Sequence, residues 1–183
     1  MLAIPTAIPG VLIIEPKVFG DERGWFAETW NERTFRSLGI DAHFVQDNHS
    51  RSSRGVLRGL HYQLRQTQDK LVRCTVGTVF DVAVDVRRGS PTFGRHVAVE
   101  LSADNHRMLW VPKGMAHGFL TVSERAEVQY KVTDLWDKDA ERGLRWNDPA
   151  VGIPWPDVGV TPSLNARDAG FPLLAGIPDT DRL

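Results

Sequence analysis

The segment TVFDVAVDV at residues 78–86 alternates between two kinds of side chain along its length. One set is wholly apolar and comprises Phe80, Val82, Val84 and Val86, whereas the set between them mixes valine and alanine with two aspartates. Because successive side chains of an extended chain point to opposite sides, this period of two predicts a β-strand.

The same period recurs in later parts of the chain. RHVAVEL at 95–101 and EVQYKVT at 127–133 alternate in the same way. Turn-forming segments separate these runs, namely RRGSPTFG at 87–94, SADN at 102–105 and VPKG at 111–114. Many short strands with frequent turns predict an all-β fold, an antiparallel sandwich or barrel with a few short helices.

Helical signals are few. NERTFRSLG at 31–39 predicts one short helix, with Asn31 as its N-cap and Gly39 at its C-terminal end. A second helical turn is expected to start near Ser163. Three glycines fall between strand runs, where a jelly roll would turn its corners: Gly77, Gly94 and Gly114.

The length of 183 residues predicts a single domain spanning 1–183. The apolar start, MLAIPTAIPGVLII, contains two prolines and has no basic segment, so we predict an extended arm or edge strand over about 1–16 rather than a signal peptide. The last part of the chain, about 145–183, is rich in proline and glycine and is predicted to wrap one end of the domain.

Bulk properties exclude several classes of partner. The net charge of -1 argues against binding to nucleic acid or to an anionic membrane surface. No apolar run approaches the ~18 residues of a membrane span. The single cysteine, Cys74, excludes an internal disulfide and suits a reducing cytoplasm, and its place in the alternating run KLVRCTV predicts a core residue. We therefore expect a cytoplasmic protein.

The segment QDNHSRSSRGVLRGLHYQ at 46–63 carries the densest chemistry, with three arginines and two histidines. Arginine holds anions and histidine moves protons, so this segment predicts part of a functional site; the alternative is a solvated loop. Its His61 lies on an apparent strand, and a second histidine, His117, follows a Pro-x-Gly-x-x-His pattern. Both are flanked by glycines, which favours function over a structural role.

The Pro-x-Gly-x-x-His pattern resembles the second motif of the cupins, a jelly-roll superfamily. Cupin metal sites usually require a His-x-His pair, but the corresponding place here reads His61-Tyr62-Gln63. Glutamine is a poor metal ligand, so we predict no tightly held metal and a site that works with side chains alone.

Two further residues could join such a site. Tyr130 shares a strand face with Val128 and Val132 and points inward, either as a core tyrosine or as an acid opposite a histidine base. Lys70 opens the strand KLVRCTV and could place its ammonium beside a developing oxyanion in the same cavity.

Taken together, these residues make the chain resemble the dTDP-4-dehydrorhamnose 3,5-epimerase family, which acts in the biosynthesis of dTDP-rhamnose. The resemblance covers nearly the whole chain. It is carried by an ordered set of motifs: FGDERGWFAETW at 19–30, QDNHS at 46–50, GVLRGLHYQ at 55–63, KLVR at 70–73, DVAVDVRRGSPTFG at 81–94, PKGMAHGF at 112–119, YKVTDLW at 130–136 and ERGLRWNDP at 141–149.

The resemblance implies a cupin-type jelly-roll antiparallel β-barrel and an isomerase that needs no cofactor. His61 would be the base that removes the proton beside the carbon-4 ketone, and Tyr130 the acid that returns a proton on the opposite face. Asp168 would orient the base, and Lys70 would lie near the enolate oxygen. The residues implied to hold sugar, diphosphate or thymidine are Arg23, Glu28, Gln46, Asp47, Asn48, Arg58, His117, Glu141 and Arg167.

The resemblance also implies a homodimer, with the N-terminal arm crossing to the partner's sheet. The resemblance implies that Arg58 and His61 both reach the site, whereas strict alternation puts them on opposite faces of their strand. We therefore predict a bulge at Gly59. The chain departs from the family at Leu135-Trp136, where paired aromatics are usual, and at Arg167, where lysine is common.

Three alternatives remain open at this point. The first is an epimerase that inverts only carbon 3 or carbon 5 of another dTDP-4-keto-deoxysugar in a secondary-metabolite pathway. The second is a non-catalytic cupin that binds a sugar nucleotide, and the third is a metal-dependent cupin.

Overall fold

The computed structural model describes residues 1–181 and 183, and β-strands predominate among them. The strands are β1 (Leu2–Pro5), β2 (Leu12–Glu15), β3 (Val18–Asp21), β4 (Gly24–Ala27), β5 (Gln46–Ser53), β6 (Leu57–Gln63), β7 (Lys70–Val76), β8 (Thr78–Asp85), β9 (His96–Ser102), β10 (Met108–Val111), β11 (Met115–Thr121), β12 (Arg125–Val132) and β13 (Glu141–Gly143). The helices are α1 (Glu32–Ser37) and α2 (Ala166–Ala169), with single turns of 3-10 helix at Leu174–Gly176 and Asp179–Asp181.

Two antiparallel sheets form the body of the molecule. One has six strands in the order β1-β2-β10-β7-β12-β5, and the other has five in the order β13-β6-β11-β8-β9. Strands β3 and β4 form a separate hairpin. The arrangement confirms the predicted all-β jelly roll. The three corner glycines are also confirmed, since Gly77, Gly94 and Gly114 adopt φ values of 71°, 75° and 87° between strands.

The core explains the alternation in β8, because both faces of this strand are buried. Val79 and Ala83 point between the two sheets and belong to the same cluster as Val128 of the opposite sheet. Val84 points to the other side of its sheet, where it packs in a cluster with Val151 from the C-terminal segment. The segment 145–183 thus covers the outer face of the five-stranded sheet.

Helix α1 is confirmed with both of its predicted ends. The Asn31 side chain accepts a hydrogen bond from the backbone N–H of Thr34 at 3.1 Å, and Gly39 follows the helix at a φ of 83°.

The second predicted helix begins three residues later than expected. Ser163 forms an isolated β-bridge with Val56, and α2 starts at Ala166 after the N-cap Asn165. A residue paired in a bridge is extended and cannot also open a helix, which is why the helix starts after it.

The N-terminal arm lies at the edge of a sheet. Strands β1 and β2 pair with each other, and β2 pairs with β10, so residues 2–15 form the edge of the chain's own six-stranded sheet. This confirms the predicted edge strand, and the crossing to a partner's sheet stays a prediction. The segment that stands apart is the β3–β4 hairpin, which carries exposed Phe19, Trp25 and Phe26. Among the described residues, no helix has the length and apolar character needed to cross a bilayer.

A bulge in β6 is confirmed where it was predicted. Gly59 and Leu60 together lie opposite a single residue of β11, Gly118. The extra residue resets the alternation of β6, so that the side chains of Arg58 and His61 both reach one cavity.

We expect Gly59→Ala to destabilise the fold by about 2–5 kcal/mol, because backbone strain and a steric clash add. Gly59 has a φ of 117°, and a Cβ there would lie 2.7 Å from the backbone of both Gly118 and His117. The control Gly39→Ala has a similarly positive φ of 83° but open space around it, so it should lose only about 1 kcal/mol. Urea unfolding of both variants measures the difference; equal losses would contradict the close approach of β6 and β11.

Candidate active site

A cavity of about 400 Å³ opens among β5, β6, β7, β11, β12, β13 and α2. Ten of the thirteen predicted site residues line it: Gln46, Asn48, Arg58, His61, Lys70, His117, Tyr130, Glu141, Arg167 and Asp168. These residues come from seven separate elements, so only the folded sheets bring them together.

The centre of the cavity holds a histidine–carboxylate pair. Asp168 Oδ1 lies 2.9 Å from His61 Nε2, and Asp168 Oδ2 accepts the backbone N–H of Gly59 at 2.9 Å. Because the carboxylate accepts the Nε2 proton, the Nδ1 atom of His61 keeps its lone pair and can act as a base. Asp168 is only 1% exposed, and the side chain of Asn165 caps its backbone N–H.

The charge of Asp168 is maintained despite its burial. Burial acts to raise the pKa of the Asp168 carboxyl, but the hydrogen bond and charge of His61, the Gly59 amide and the charge of Arg167 outweigh it. The pKa of Asp168 therefore lies below its ordinary 3.8, and the group is ionised at neutral pH.

An aromatic ring packs against the same imidazole. The edge of Phe171 meets His61 with ring centroids 5.6 Å apart and planes at 83°. Gly143 of β13 leaves the space that Phe171 occupies, since a Cβ at that position would collide with the ring. Phe171 was not predicted as part of the site.

A second histidine–carboxylate pair lies beside the first. His117 is the pairing partner of His61 across β6 and β11, and its Nε2 lies 2.9 Å and 3.1 Å from the two oxygens of Asp81. Asp81 is fully buried and was not among the predicted site residues. The available signal was a carboxylate within the otherwise apolar run at 79–84 of this strand.

Lys70 is the buried cation of the cavity. Burial lowers the pKa of its ammonium from 10.5 to about 8, against the attraction of the Glu141 and Asp81 carboxylates. The ammonium is therefore charged at neutral pH but close to losing its proton.

Tyr130 lines the cavity from β12. Burial raises the pKa of its phenol above the ordinary 10.0; the charge of Glu141 raises it further and that of Arg58 opposes the rise. The phenol is thus protonated at neutral pH and available as a proton donor.

Two arginines of the cavity are held in place by neighbouring side chains. Arg58 Nε donates to Ser52 Oγ at 3.0 Å, and the half-exposed Arg167 forms an ion pair with Glu141. Both guanidinium groups remain able to bind an anion with other N–H donors.

Gln63, at the place where cupins often carry a metal-binding histidine, holds a loop instead. Its amide nitrogen donates to the carbonyl of Leu135 at 3.2 Å, and its amide oxygen accepts the N–H of Asp137 at 2.9 Å. The loop so held includes Trp136, whose half-exposed ring lines the cavity. Within residues 1–181 and 183, no group of three or more His, Cys, Asp or Glu side chains is placed to bind a metal ion.

Three predicted site residues lie outside the cavity. Asp47 sits between two inward-facing residues of β5, so alternation turns it to the outer face, where it pairs with Lys131 at 2.9 Å. Arg23, between β3 and β4, pairs with Asp21, and Glu28 follows β4. The structure does not bring Arg23 or Glu28 to the chain's own cavity.

Comparison with known proteins settles the family. The sequence model described as dTDP-4-dehydrorhamnose 3,5-epimerase matches residues 5–176. The chain belongs to this family. It is 58% identical over 176 residues to the dTDP-4-dehydrorhamnose 3,5-epimerase of Salmonella typhimurium, covering 95% of this chain and 96% of that one.

Solved structures of similar chains agree with this membership. The dTDP-6-deoxy-D-glucose-3,5-epimerase of Legionella pneumophila, in complex with dTDP-4-keto-L-rhamnose, is 50% identical with a TM-score of 0.94, over 97% of this chain and 94% of that one. A 3'-monoepimerase of Streptomyces bikiniensis, in complex with dTDP-quinovose, is 36% identical with a TM-score of 0.88, over 93% of this chain and 87% of that one. The chain is thus an epimerase of the isomerase class.

We expect Lys70→Met to stabilise the folded enzyme at neutral pH by about 3 kcal/mol, because the drop in pKa from 10.5 to about 8 measures the cost of burying the charge. Between about pH 8 and pH 10.5 the unfolded chain binds more protons than the folded one, so the wild type gains stability as the pH rises. The advantage of Lys70→Met is therefore full below about pH 8 and shrinks towards pH 10.5.

Urea unfolding across this pH range measures the effect. Lys131→Met is the matched control, because Lys131 lies on the outer face of the same sheet and pairs with Asp47. That control should show no comparable pH-dependent gain. A constant difference between wild type and Lys70→Met from neutral to alkaline pH would contradict a buried, charged Lys70.

Proposed function

We propose that the chain inverts carbons 3 and 5 of dTDP-4-dehydro-6-deoxy-D-glucose to give dTDP-4-dehydro-L-rhamnose. The observation that carries the proposal is the His61–Asp168 pair in one cavity with Tyr130 and Lys70. A base held in a defined tautomer, a protonated phenol and a buried ammonium are the groups that proton transfer beside a ketone requires.

Each inversion proceeds in two proton transfers. His61 Nδ1 takes the proton from the carbon beside the ketone, and the electron pair of the broken C–H bond moves onto the ketone oxygen as an enolate. The Lys70 ammonium stabilises that oxyanion, a contribution of roughly 3–4 kcal/mol for one well-placed donor.

The return of the proton completes the inversion. Tyr130 protonates the same carbon from the opposite face as the ketone re-forms, which leaves a phenolate and an imidazolium. Exchange of protons with water then restores both groups. Because a ketone acidifies the carbons on both of its sides, one base and one acid can serve carbon 3 and then carbon 5.

The remaining cavity residues are proposed to hold the nucleotide and sugar. Arg58 and Arg167 supply guanidinium donors for the diphosphate. His117, whose Nε2 proton Asp81 accepts, keeps a lone pair on Nδ1 and offers it as an acceptor. Gln46, Asn48 and Glu141 supply further polar contacts. Trp136 is the tryptophan exposed at the cavity and is proposed to contact the thymine, whereas Trp30 packs against Phe35.

Inversion at one carbon only is the second candidate, favoured by the similarity to the 3'-monoepimerase of Streptomyces bikiniensis. Both candidates use the same base and acid, so the side chains named above serve either. The number of carbons that exchange their proton with solvent separates them.

We further propose a homodimer built on the β3–β4 hairpin. Its exposed side chains include Phe19, Trp25 and Phe26, with 53%, 61% and 68% exposure, and such a patch on a small hairpin is suited to burial against a second copy. The same hairpin carries Arg23 and leads to Glu28, which are remote from their own cavity and would enter the partner's cavity. The single domain 1–183 is proposed to be the folding unit.

The cytoplasm is the proposed place of action. Cys74 is a free thiol, and burial raises its pKa to about 11, so it stays a neutral core residue in a reducing compartment.

The proposed reaction predicts that wild type incubated with the ketosugar in heavy water incorporates deuterium at carbons 3 and 5. His61→Ala should bind the nucleotide sugar normally but lose about 10²–10⁴-fold in exchange rate. His49→Ala is the control, because His49 pairs with Glu127 on the outer face of the sheet. Mass spectrometry and NMR measure the label. Label at carbon 3 alone would favour the single epimerase over the double epimerase. A normal exchange rate in His61→Ala would refute the assignment of His61 as the base.

The proposed dimer predicts that Phe26→Asp is a monomer at micromolar concentration while the wild type is a dimer, because a buried charge without a partner opposes association. Light scattering measures the mass. Val160→Asp is the control, since Val160 is likewise an exposed apolar residue, at 50%, but lies in the C-terminal segment. A monomeric wild type would remove the dimer from the proposal.

A further inference from the structure

Two glutamine side chains from different sheets hold the backbone on either side of Trp136. The Trp136 N–H donates to Gln46 Oε1 at 3.1 Å, and the next N–H, that of Asp137, donates to Gln63 Oε1 at 2.9 Å. Gln63 Nε2 also donates to the carbonyl of Leu135 at 3.2 Å. Both peptide groups that flank Trp136 are therefore fixed by side chains of the cavity wall.

We propose that Gln46 and Gln63 are positioning residues that hold the Trp136 ring as a preformed wall for the pyrimidine of the nucleotide. The inference rests on the proposed function, in which Trp136 contacts the thymine. Gln63 thereby takes part in ligand binding without touching the ligand, and Gln46 serves in addition to its proposed polar contact.

The loop that carries Trp136 depends on side chains for its position. It joins β12 to β13 and so passes from the six-stranded sheet to the five-stranded one. Within residues 1–181 and 183, no backbone–backbone hydrogen bond involves residues 134–139. A segment without such bonds opens locally at little cost in free energy. Side-chain hydrogen bonds to its backbone therefore determine where the tryptophan ring lies.

The two glutamines stand where this loop leaves one sheet and enters the other. Gln46 of β5 pairs with Val132, the last residue of β12, and Gln63 of β6 pairs with Glu141, the first residue of β13. Since the cavity lies between the two sheets, contacts from both of them fix Trp136 relative to the rest of the cavity.

Other side chains hold the loop at its start or at its surface. Gln68 Nε2 donates to the Asp134 carbonyl at 2.8 Å, and Lys113 pairs with the Asp134 carboxylate at 3.2 Å. Arg65 pairs with the Asp137 carboxylate at 3.2 Å, but the Arg65 side chain is 67% exposed, and such surface ion pairs contribute little. The backbone bonds next to the tryptophan come from the two glutamines.

The N–H groups of Gln63 are all engaged. Its side chain is buried, and its Nε2 donates to the carbonyls of Gln66 at 2.8 Å and Leu135 at 3.2 Å. An amide nitrogen has two hydrogens, so no N–H of Gln63 is left for a ligand. Gln63 lines the cavity, yet the loop is what it holds.

A wall that is fixed before binding spares the complex the entropic cost of ordering it. Trp136 is 53% exposed, so a flat base can stack on the free part of its ring. Stacking on the base, which is remote from the reacting carbons, is the same in the ground state and the transition state. The glutamines should therefore affect KM more than kcat.

Gln63→Met and Gln46→Met test the inference, because methionine keeps the length of glutamine and removes its hydrogen bonds. Gln129→Met is the matched control, since Gln129 accepts a hydrogen bond from Arg73 at 2.8 Å but does not line the cavity. Calorimetry measures the affinity for dTDP and for inorganic pyrophosphate, which lacks the base.

We expect Gln63→Met to weaken dTDP binding about three- to tenfold, the effect of one or two neutral hydrogen bonds, and to leave the affinity for pyrophosphate within about twofold. The KM for the ketosugar should rise by the same factor as the Kd for dTDP, with kcat within about twofold. Gln129→Met should bind both ligands as wild type does. Equal losses for dTDP and pyrophosphate, or an unchanged dTDP affinity, would overturn the inference.

Combination with Trp136→Ala decides whether the glutamines act through the ring. In Trp136→Ala, the further change Gln63→Met or Gln46→Met should leave the dTDP affinity as it is, whereas Trp136→Phe, which keeps a flat ring, should remain sensitive to both changes. Losses that multiply in Trp136→Ala would overturn the inference. Gln46 is only partly buried, so Gln46→Met decides the question by itself if Gln63→Met does not fold.

Proton exchange separates this inference from the proposed reaction. A wild type without exchange would reject the proposed epimerisation, and the calorimetry with dTDP would still decide the role of the glutamines. Wild-type affinity for dTDP in Trp136→Ala would reject the thymine contact and the inference with it. A loss in Trp136→Ala with none in Gln63→Met or Gln46→Met would leave the thymine contact standing and reject only the role of the glutamines.

Discussion

The buried carboxylate of Asp168 is the interaction on which the geometry of the site depends. It joins α2 to β6 by accepting one hydrogen bond from His61 and another from the Gly59 amide. The second bond holds the bulge, and the bulge in turn directs His61 into the cavity. One ionised group therefore sets the position of the strand, the direction of the imidazole and its tautomer. Its charge survives burial because three donors or positive charges compensate for lost water.

The two sheets bury part of the cavity lining, and the acid–base groups take their properties from this burial. Desolvation raises the pKa of Tyr130, which keeps the phenol protonated, and it lowers the pKa of Lys70 only to about 8, which leaves the ammonium charged at neutral pH. The paired carboxylates at Asp81 and Asp168 keep two adjacent histidines oriented in the same region. A jelly roll supplies this arrangement because inward residues of neighbouring strands meet in one space.

Local patterns predicted local structure well. The period of two located β8, the N-cap at Asn31 located α1, and glycine located the corners, because each depends on neighbouring residues alone. Predictions that needed distant parts of the chain were less complete. The pairing of β2 with β10, which are distant along the chain, was not predicted. Asp81 and Phe171 were missed, since only folding puts them against His117 and His61.

The sequence by itself determined the fold class, the family and most residues of the candidate site, because strand periodicity and ordered motifs are written along the chain. Only the tertiary structure decided which of those residues share a cavity. Adjacent residues of β5 separate to opposite faces, so Asn48 enters and Asp47 does not. Residues more than a hundred positions apart meet, as His61 and Asp168 do. Burial then sets their charges, and burial is a property of packing that no local pattern contains.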